Sequence, residues 1–498
     1  MNNNIKDLSI LNAIIGRGEE QCTLTQFLES SNASFLALYG RRRIGKTFLI
    51  TTYFAKKKNC LFFYTTGIKN ATYKKQISQF TKIIGDVFYN GADLKPKNNW
   101  LETFELLTDS FKNTPKNKKI VIFMDEFPWL ATKRSGLLEA LDYYWNRYWV
   151  DDKRIKLIIC GSSSSWIVDK IINNKGGLHN RITHKIQLDS FNLKETKEYL
   201  HTLQVRLNNK QILQLYMITG GVPFYLSNIA KGLSATQIIE SLAFKKNCLL
   251  LEEFDNLFSS LFDHPEGYIK AIKLISSFRY GIGQDALLHK LGKPMLGMGG
   301  VKILKDLERS GFIMSFKPHL HKKRGIYYKV IDEYVSFYFN WIEPIKENLL
   351  SKSLKAGYWE TQHNSARWHS WSGYTFESIC YKHIPQISNA LKLNSASIPN
   401  SWRYVPKKGS KENGAQIDLL FDRMDDAITI CEIKYTNTPF IIDKQYANNL
   451  LNKIKIFKKI TKTTKQIFLS MIVANGLQKN TYSNDLVDCV VTLDDLFK

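Results

Sequence analysis

The sequence predicts an α/β fold in which a mainly parallel sheet is covered by helices. Three observations predict it. Apolar, strand-like runs alternate with longer amphipathic segments from Ile14 to about Leu200, which is the pattern of parallel strands joined by helices. A glycine-rich turn at residues 40–47 joins one of these runs to a helix. A mixed α/β pattern then returns from about Trp371 onward.

Five apolar runs are the predicted strands of the first sheet. Their near-continuous hydrophobicity suits strands that are buried on both faces, as in parallel sheets. The runs are Phe35–Tyr39, Cys60–Thr65, Lys119–Met124, Lys156–Cys160 and Thr183–Leu188.

The segment Gly40-Arg-Arg-Arg-Ile-Gly-Lys-Thr47 follows the first run and fits the pattern G-x-x-x-x-G-K-[ST]. Such a turn aims backbone N–H groups and the positive end of a helix dipole at an anion, and phosphate is the natural occupant. We expect Lys46 to reach the β- and γ-phosphates of ATP and Thr47 to ligate Mg²⁺. The residues expected to bind the nucleotide here are Gly40, Arg41, Arg42, Arg43, Ile44, Gly45, Lys46, Thr47 and Phe48.

Two acids, Asp125 and Glu126, end the third predicted strand. An ATPase needs a second carboxylate site, and we expect Asp125 to hold Mg²⁺ through water and Glu126 to polarise the attacking water. The alternative is that both acids cap the next helix ahead of Pro128.

The fourth strand runs into Gly161-Ser-Ser-Ser-Ser165, where Ser162 or Ser163 is placed to sense the γ-phosphate. A serine N-cap for the helix near Trp166 is the alternative. Arg181, ahead of the fifth strand, is a candidate to stabilise the transferring phosphoryl group in a neighbouring subunit of a homo-oligomer. An ordinary surface role for Arg181 remains open.

Composition indicates a multidomain protein with a polyanionic partner. The 498 residues are 44% hydrophobic, which allows several cores, and the net charge is +25. Such a surface recruits nucleic acid through counterion release, so DNA is the expected partner. The alternative is a compositional bias toward lysine and asparagine without functional meaning.

Several classes of protein are not indicated. The seven cysteines are dispersed without C-x-x-C, and the ten histidines show no H-E-x-x-H, so we expect no disulfide framework or structural metal site. No apolar run has the length of a membrane span, and the first residues lack the layout of a signal peptide. We therefore expect a cytoplasmic protein without a membrane partner.

The middle of the chain reads as helices followed by a hairpin. Helices extend from Leu193 to Phe262, broken at Gly220-Gly-Val-Pro223, and three more helices precede two short strands whose connecting tip is Lys317–Gly325. Three helices followed by a two-stranded ribbon is the winged-helix order, in which the third helix can enter a DNA major groove. A packing or dimer module is the alternative.

A second set of polar residues lies near the C-terminus. Two strands joined by a turn centred on Asp425 place Asp418 opposite Glu432, and Lys434 follows Glu432 by two residues on the same face. A divalent metal between the two carboxylates would relieve their repulsion and acidify a water that Lys434 positions for attack on a phosphodiester. A solvated hairpin with ordinary ion pairs is the alternative.

The front part of the chain resembles the AAA-like and STAND-like family of archaeal and bacterial P-loop ATPases. The resemblance spans about residues 10–345 and implies an ASCE-type sheet, a helical lid and a winged helix, with Gly16 and Arg17 also at the nucleotide. The family usually has a Gly-Arg pair where this chain has Asn180 and Arg181, which weakens the trans-acting role of Arg181. The matching stretches are Ile15–Glu20, Gly40–Thr47, Met124–Leu130, Cys160–Ser164 and Gly220–Phe224.

The C-terminal part, about residues 370–498, resembles the PD-(D/E)XK nucleases and the domain of unknown function that accompanies this ATPase family. The resemblance implies that Glu377, in Gly373-Tyr-Thr-Phe-Glu377, joins Asp418 and Glu432 as a metal-facing acid. It also implies DNA contacts from Gln445 and Tyr446. A fold retained without activity would leave almost the same sequence.

We therefore expect an ATP-hydrolysing, DNA-binding protein with a Mg²⁺-dependent DNA endonuclease domain, suited to defence or mobile-element DNA processing. The rival is a nucleotide-switched STAND-type regulator whose nuclease fold grips DNA or a protein without cutting; a small-molecule kinase fits the charge and appended domains poorly. The predicted domains are the ATPase core (1–192), helical lid (193–262), winged helix (263–345), helical linker (346–370) and nuclease-like domain (371–498).

Overall fold

The structure is a computed structural model of the whole chain. It describes residues 13–173, 178, 180–292, 295–317, 325–351, 355, 357–394, 396–406 and 413–498. The chain divides into two compact units, Met1–Ser190 with Arg309–Gly311, and Phe191–Glu308 with Phe312–Lys498. The finer division into five domains stays a prediction.

A five-stranded sheet organises the first unit. Its order is β2-β3-β4-β1-β5, and every neighbouring pair is parallel. The predicted α/β architecture with a parallel sheet is therefore confirmed. The strands are β1 (Ser34–Tyr39), β2 (Cys60–Thr66), β3 (Lys119–Asp125), β4 (Ile155–Gly161) and β5 (His184–Gln187).

Helices cover both faces of this sheet because successive side chains of each strand point to opposite sides. In β1, Phe35 and Ala37 pack into one core, whereas Leu36 and Leu38 pack into the other. The helices of this unit are α1 (Gly18–Glu29), α2 (Lys46–Ala55), α3 (Tyr73–Phe88), α4 (Trp100–Ser110), α5 (Phe127–Leu130), α6 (Leu137–Tyr144) and α7 (Ser164–Ile167). Of these, α1 and α2 cover one face, and α3, α4 and α6 cover the other.

The second unit begins with helices, as predicted for the lid. Helix α9 ends at Thr219 and is capped by Gly220, and Pro223 occupies the first turn of α10. A Cβ on Gly221 would lie 2.1 Å from the Phe191 carbonyl oxygen, so only glycine fits this junction. The helices are α8 (Leu193–Thr202), α9 (Asn209–Thr219), α10 (Pro223–Leu226), α11 (Ala235–Ala243) and α12 (Leu249–Leu261).

Three helices and a small antiparallel sheet follow. They are α13 (Glu266–Ser276), β6 (Ile282–Gly283), α14 (Gln284–Leu291), α15 (Met298–Arg309), β7 (Ile313–Phe316) and β8 (Tyr327–Val330), with strand order β6-β8-β7. The order of elements agrees with the sequence pattern. Most of the predicted basic tip, residues 318–324, lies outside the described residues.

Four tryptophans form the core that follows the hairpin. Trp341, Trp359, Trp368 and Trp371 are at most 1% exposed, and neighbouring rings meet at centroid distances of 5.1–6.2 Å. Buried aromatic rings contribute large apolar areas to a core. The helices of this region are α16 (Glu333–Phe337), α17 (Lys346–Leu350), α18 (Tyr358–Gln362), α19 (Ala366–Lys382) and α20 (Ile384–Ala390).

The chain ends in a mixed sheet of order β13-β12-β11-β10-β9, antiparallel from β9 to β11 and parallel from β11 to β13. Helix α19 packs on one face and helix α21 on the other. The predicted mixed α/β pattern is confirmed. The elements are β9 (Ile398–Tyr404), β10 (Ala415–Asp422), β11 (Ala427–Lys434), α21 (Lys444–Thr461), β12 (Gln466–Val473), α22 (Thr481–Leu486) and β13 (Cys489–Thr492).

Two further expectations concern the whole chain. All seven cysteines are free thiols. Among the helices that the structure describes, none is both long and apolar enough to span a bilayer.

Burial of His383 makes the second unit sensitive to acid. The ring accepts a hydrogen bond from the Leu193 N–H (3.0 Å) and contacts the Ile379 carbonyl oxygen (2.8 Å). Burial, with Lys382 nearby, lowers the pKa of His383 from 6.5 to about 4. The unfolded chain therefore takes up a proton as the pH falls below about 6.5, whereas the folded chain does so only near pH 4.

We expect this difference to lower the free energy of unfolding by up to about 3 kcal/mol between pH 6.5 and 4, with the full stability present above pH 6.5. Urea unfolding of His383→Gln should show a shallower loss over that range. His369→Gln changes an exposed histidine of α19, the helix that ends just before His383, and should follow the wild type. An unchanged slope in His383→Gln would contradict the assignment.

Candidate functional site

The turn at 40–45 is shaped by residues with left-handed backbone. Gly40 and Gly45 have φ of 147° and 90°, and Arg43 has φ of 71°. A Cβ on Gly40 would lie 2.2 Å from the Leu188 carbonyl oxygen. The turn therefore packs against the end of the sheet and delivers the chain into α2, as the motif predicts.

Lys46, the first residue of α2, is buried at 6% exposure. Its Nζ donates hydrogen bonds to the carbonyl oxygens of Gly40 (2.9 Å) and Arg41 (2.7 Å). Burial lowers the pKa of Lys46, while Cys160, Glu126 and Asp125 oppose the shift. A buried ammonium needs anionic partners, so this place suits a phosphate oxygen.

Thr47 and Asp125 lie together where β3 ends. The Thr47 Oγ1 donates to Asp125 Oδ2 at 2.6 Å, and Asp125 is buried at 4% exposure. A hydroxyl and a carboxylate oxygen are the donor set that Mg²⁺ prefers beside a phosphate. The two residues predicted to face the metal are therefore side by side.

Glu126 follows Asp125 in a left-handed conformation, with φ of 43° and ψ of 47°. The Ser162 hydroxyl donates to Glu126 Oε1 at 2.7 Å, and the Ser162 backbone N–H donates to Oε2 at 3.3 Å. A non-glycine residue in this conformation is uncommon, and such residues cluster at functional sites. Ser162 is therefore placed to orient the Glu126 carboxylate.

The remaining residues that are predicted to bind the nucleotide lie before α1 and in or just after the turn. Gly16 and Arg17 precede α1, and the Arg17 Nη2 donates to the Ile44 carbonyl oxygen at 3.4 Å, which brings them to the turn. In the turn, Arg41 and Ile44 are buried, whereas Arg42 and Arg43 are partly exposed. Phe48, which follows the turn, is exposed. Arg181 is exposed ahead of β5.

The C-terminal acids meet across the hairpin of β10 and β11. The register pairs Leu419 with Cys431, so Asp418 and Glu432 are the next opposed positions, as predicted. The pairing of β10 with β9 shifts between Ile417 and Leu420, next to Asp418. Such irregularities redirect a side chain and are frequent beside active sites. Here Asp418 Oδ2 accepts from the Ile433 N–H at 3.3 Å.

Glu432 is 2% exposed and is held by two lysines and a tyrosine. Its Oε1 accepts from Lys434 Nζ (2.8 Å) and the Tyr446 hydroxyl (2.7 Å), and Lys453 Nζ contacts both oxygens at 2.8–2.9 Å. Burial raises the pKa of Glu432, but the two lysines outweigh it and hold the pKa below its usual value. The carboxylate is therefore ionised.

Glu377 of α19 completes the predicted set of acids. Arg279 Nη2 lies 3.6 Å from Glu377 Oε1, and Lys329 of β8 is attracted electrostatically to Glu377 and Asp418. Burial lowers the pKa of Lys329 to about 8 and raises that of Glu377. The turn after α13 and strand β8 thus supply cations to the carboxylates.

The carboxyl group of Asp418 is buried close to the other two acids of this cluster. Burial raises the pKa of Asp418 to about 7, and the neighbouring charges of Glu432 and Glu377 add to the effect. In the part of the chain that the structure describes, no group of three or more His, Cys, Asp or Glu side chains is arranged to hold a metal ion. Two of the three acids are instead bonded to cations.

Three participants were not found from the sequence. Lys453 is seven residues after Tyr446, which places both on one face of α21, and this spacing could have revealed it. Arg279 and Lys329 carry no such signal because they are distant in sequence from the acids. Tyr446, expected to contact DNA, bonds to Glu432.

Comparison with known proteins finds a family of ATPase domains that matches the part of the chain containing the first site. Residues 15–229 match the model of a family described as "ATPase domain predominantly from Archaea". The uncharacterized protein MJECL04 of Methanocaldococcus jannaschii is 24% identical over 448 residues, covering 89% of this chain and 92% of the relative.

Two solved structures are similar at low identity. The Walker-type ATPase PABY2304 of Pyrococcus abyssi has a TM-score of 0.44 and 18% identity, covering 66% of this chain and 96% of its own. The Aeropyrum pernix ORC2 protein has a TM-score of 0.41 and 16% identity, covering 69% and 97%. These likenesses are too weak to assign a function. Residues 15–229 thus contain the turn and buried lysine of a P-loop, and they are similar to this family of ATPase domains.

Proposed function

We propose that the protein hydrolyses ATP with Mg²⁺ in its first unit, binds DNA, and cuts DNA at the Asp418–Glu432–Lys434 cluster. The observation that carries the ATPase part is the buried Lys46 at the start of α2, beside the Thr47–Asp125 pair. The observation that carries the nuclease part is Asp418 opposite Glu432, with Lys434 two residues on. The net charge of +25 supports DNA as partner.

Each residue of the first site has a role in phosphoryl transfer. Lys46 would neutralise the β- and γ-phosphates, and Thr47 with Asp125 would hold Mg²⁺, which when bound screens the charge of the phosphates. Glu126 would accept a proton from the attacking water, and Ser162 would keep its carboxylate in place. Arg181 is proposed to act across subunits of a homo-oligomer.

Loss of the P-loop lysine should abolish turnover. We expect Lys46→Ala to lower the rate of ATP hydrolysis at least a hundredfold, because the charge that meets the phosphates is removed. The matched control is Lys56→Ala, which removes an exposed lysine just past the other end of the same helix. A phosphate-release assay measures both, and substantial turnover in Lys46→Ala would contradict the assignment.

Ser162 should affect the chemical step more than nucleotide binding. We expect Ser162→Ala to lower kcat for ATP about ten- to a hundredfold, because the Glu126 carboxylate loses its hydroxyl donor, with KM changed less than threefold. Ser163→Ala is the control, since Ser163 makes no hydrogen bond to Glu126. Equal kcat values for the two variants would remove the positioning role.

The C-terminal cluster has the parts of a phosphodiesterase. Helix α19 carries Glu377, strands β10 and β11 carry Asp418, Glu432 and Lys434, and helix α21 carries Tyr446 and Lys453. The opposed carboxylates offer the oxygen ligands that Mg²⁺ prefers, and bound Mg²⁺ supplies charge stabilisation at the scissile phosphate. Lys434 would hold the water that adds to phosphorus as the P–O bond to the leaving strand breaks.

Cleavage should depend on Mg²⁺ and on Lys434. We expect the purified protein to nick or linearise plasmid DNA with Mg²⁺ and to lose at least a hundredfold in rate in Lys434→Ala or with EDTA. Lys455→Ala removes an exposed lysine of α21 and should cut normally. Absence of cleavage by the wild type, with and without ATP, or an unchanged Lys434→Ala, would remove the nuclease proposal.

A second candidate is favoured by the lysines on Glu432. Lys434 and Lys453 neutralise this carboxylate without a metal, as in a nuclease fold that binds DNA or a protein and no longer cuts. The protein would then be a nucleotide-switched regulator. DNA binding that changes with ATP in the absence of cleavage would support this candidate over the first.

A further inference from the structure

A cavity of about 340 Å³ opens beside Asp418 within the second unit. It is bounded by the turn after α13, the hairpin of β7 and β8, helix α19 and strand β9. This volume lies in the range of about 300–1,000 Å³ that is usual for small-ligand sites. The cavity therefore has the size of a small-ligand site, comparable to one nucleotide.

Three cations line the cavity. They are Arg279, Lys329 and Arg403, from three elements that are distant in sequence. The guanidinium carbons of Arg279 and Arg403 lie 5.2 and 4.9 Å from the centroid of the Tyr280 ring. Stacking on a ring fixes the plane of a guanidinium, which then presents paired N–H donors suited to a phosphate.

Aromatic rings supply the other half of the lining. Tyr280, Phe316 and Tyr327 lie along the hairpin side, and Tyr404 lies on β9. Tyr280 is 39% exposed, and the Phe316 and Tyr327 rings are 5.8 Å apart. Aromatic side chains interleaved with cations are the lining of sites that bind single-stranded nucleic acid, where unpaired bases stack on the rings.

The cavity also reaches the carboxylate cluster. Glu377 and Asp418 form part of its wall, and the Tyr381 hydroxyl there donates to the Asp418 carbonyl oxygen at 2.6 Å. Lys329 Nζ lies 3.8 Å from the centroid of the Tyr381 ring. A nucleotide held by the three cations would therefore have its phosphate near Asp418.

We propose that this cavity binds one unpaired nucleotide of a single-stranded DNA segment, with its phosphate on Arg279, Lys329 and Arg403 and its base against Tyr280 or Tyr327. The inference rests on the proposed function, and it adds the substrate class: DNA with a single-stranded or unpaired region. Arg279, Tyr280 and Lys329 make the hairpin region part of the substrate site.

Binding without metal tests the inference separately from cleavage. Fluorescence anisotropy of a labelled hexathymidylate in EDTA, without ATP, should show Tyr280→Ala and Arg403→Ala each binding about tenfold more weakly than the wild type, since loss of one stacking platform has an effect of this size. The control is Arg423→Ala, which removes another arginine over a ring, Phe468, on the same sheet but outside the cavity. Melting temperatures show that the variants are folded.

Competition experiments distinguish a DNA strand from a free nucleotide as the ligand of the cavity. Thymidine monophosphate should displace the hexathymidylate only at concentrations at least a hundredfold higher than unlabelled hexathymidylate. Equal potency of thymidine monophosphate and unlabelled hexathymidylate would show that the cavity binds a free nucleotide and not a DNA strand. Equal losses in Arg423→Ala and Arg403→Ala, or undiminished binding by Tyr280→Ala and Arg403→Ala, would overturn the cavity as the site.

Photo-crosslinking locates the strand directly, even if other basic surfaces also bind DNA. An oligonucleotide carrying 5-iododeoxyuridine should crosslink to peptides that contain Tyr280, Phe316 or Tyr327, and crosslinks confined to other peptides would overturn the inference. A wild-type protein that binds in this way but does not cut leaves the inference standing and removes the nuclease proposal. Cleavage by the wild type with normal binding by the variants overturns the inference alone.

Discussion

The need to compensate buried charge governs both candidate sites. A charged group removed from water is tolerated only with opposite charges or hydrogen bonds around it. In the first unit, Lys46 is satisfied by loop carbonyl oxygens and lies near Asp125 and Glu126. In the second, Glu432 is satisfied by Lys434 and Lys453. In the first unit, the carboxyl ends of parallel strands bring these groups to one edge of the sheet. In the second, the antiparallel pairing of β10 with β11 and the packing of α21 bring them together.

The same compensation explains how such sites work. Groups that are already held in place need little reorganisation when a substrate replaces one of their partners. Carbonyl oxygens on Lys46 can be exchanged for phosphate oxygens, and the Thr47 hydroxyl on Asp125 already marks where a cation would sit. At Glu432, by contrast, a metal must compete with two ammonium groups. Metal binding at the second site therefore requires at least one of these lysines to move away from Glu432.

The sequence was sufficient for features set by local pattern. Buried parallel strands produced continuous apolar runs, and the hairpin turn centred on Asp425 fixed the opposition of Asp418 and Glu432. Contacts that arise from tertiary packing could not be predicted from the sequence. Arg279 and Lys329 reach Glu377 and Asp418 only because the small sheet packs near α19. Lys453 could have been found from its helical spacing to Tyr446. The sequence pointed to Ser162 or Ser163 as a sensor of the γ-phosphate, and the bond from Ser162 to Glu126 is a contact between strand ends that it did not predict.

Both sets of carboxylates, Asp125 with Thr47 and Asp418 with Glu432, are proposed to hold a divalent cation. The most direct measurement is the anomalous-difference map of a crystal grown with Mn²⁺ and a non-hydrolysable ATP analogue. We expect one peak beside Thr47 and Asp125, and a second within coordination distance of oxygens of Asp418 and Glu432, with Lys453 displaced. A peak at the first place and none at the second, with Lys453 still on Glu432, would contradict this proposal.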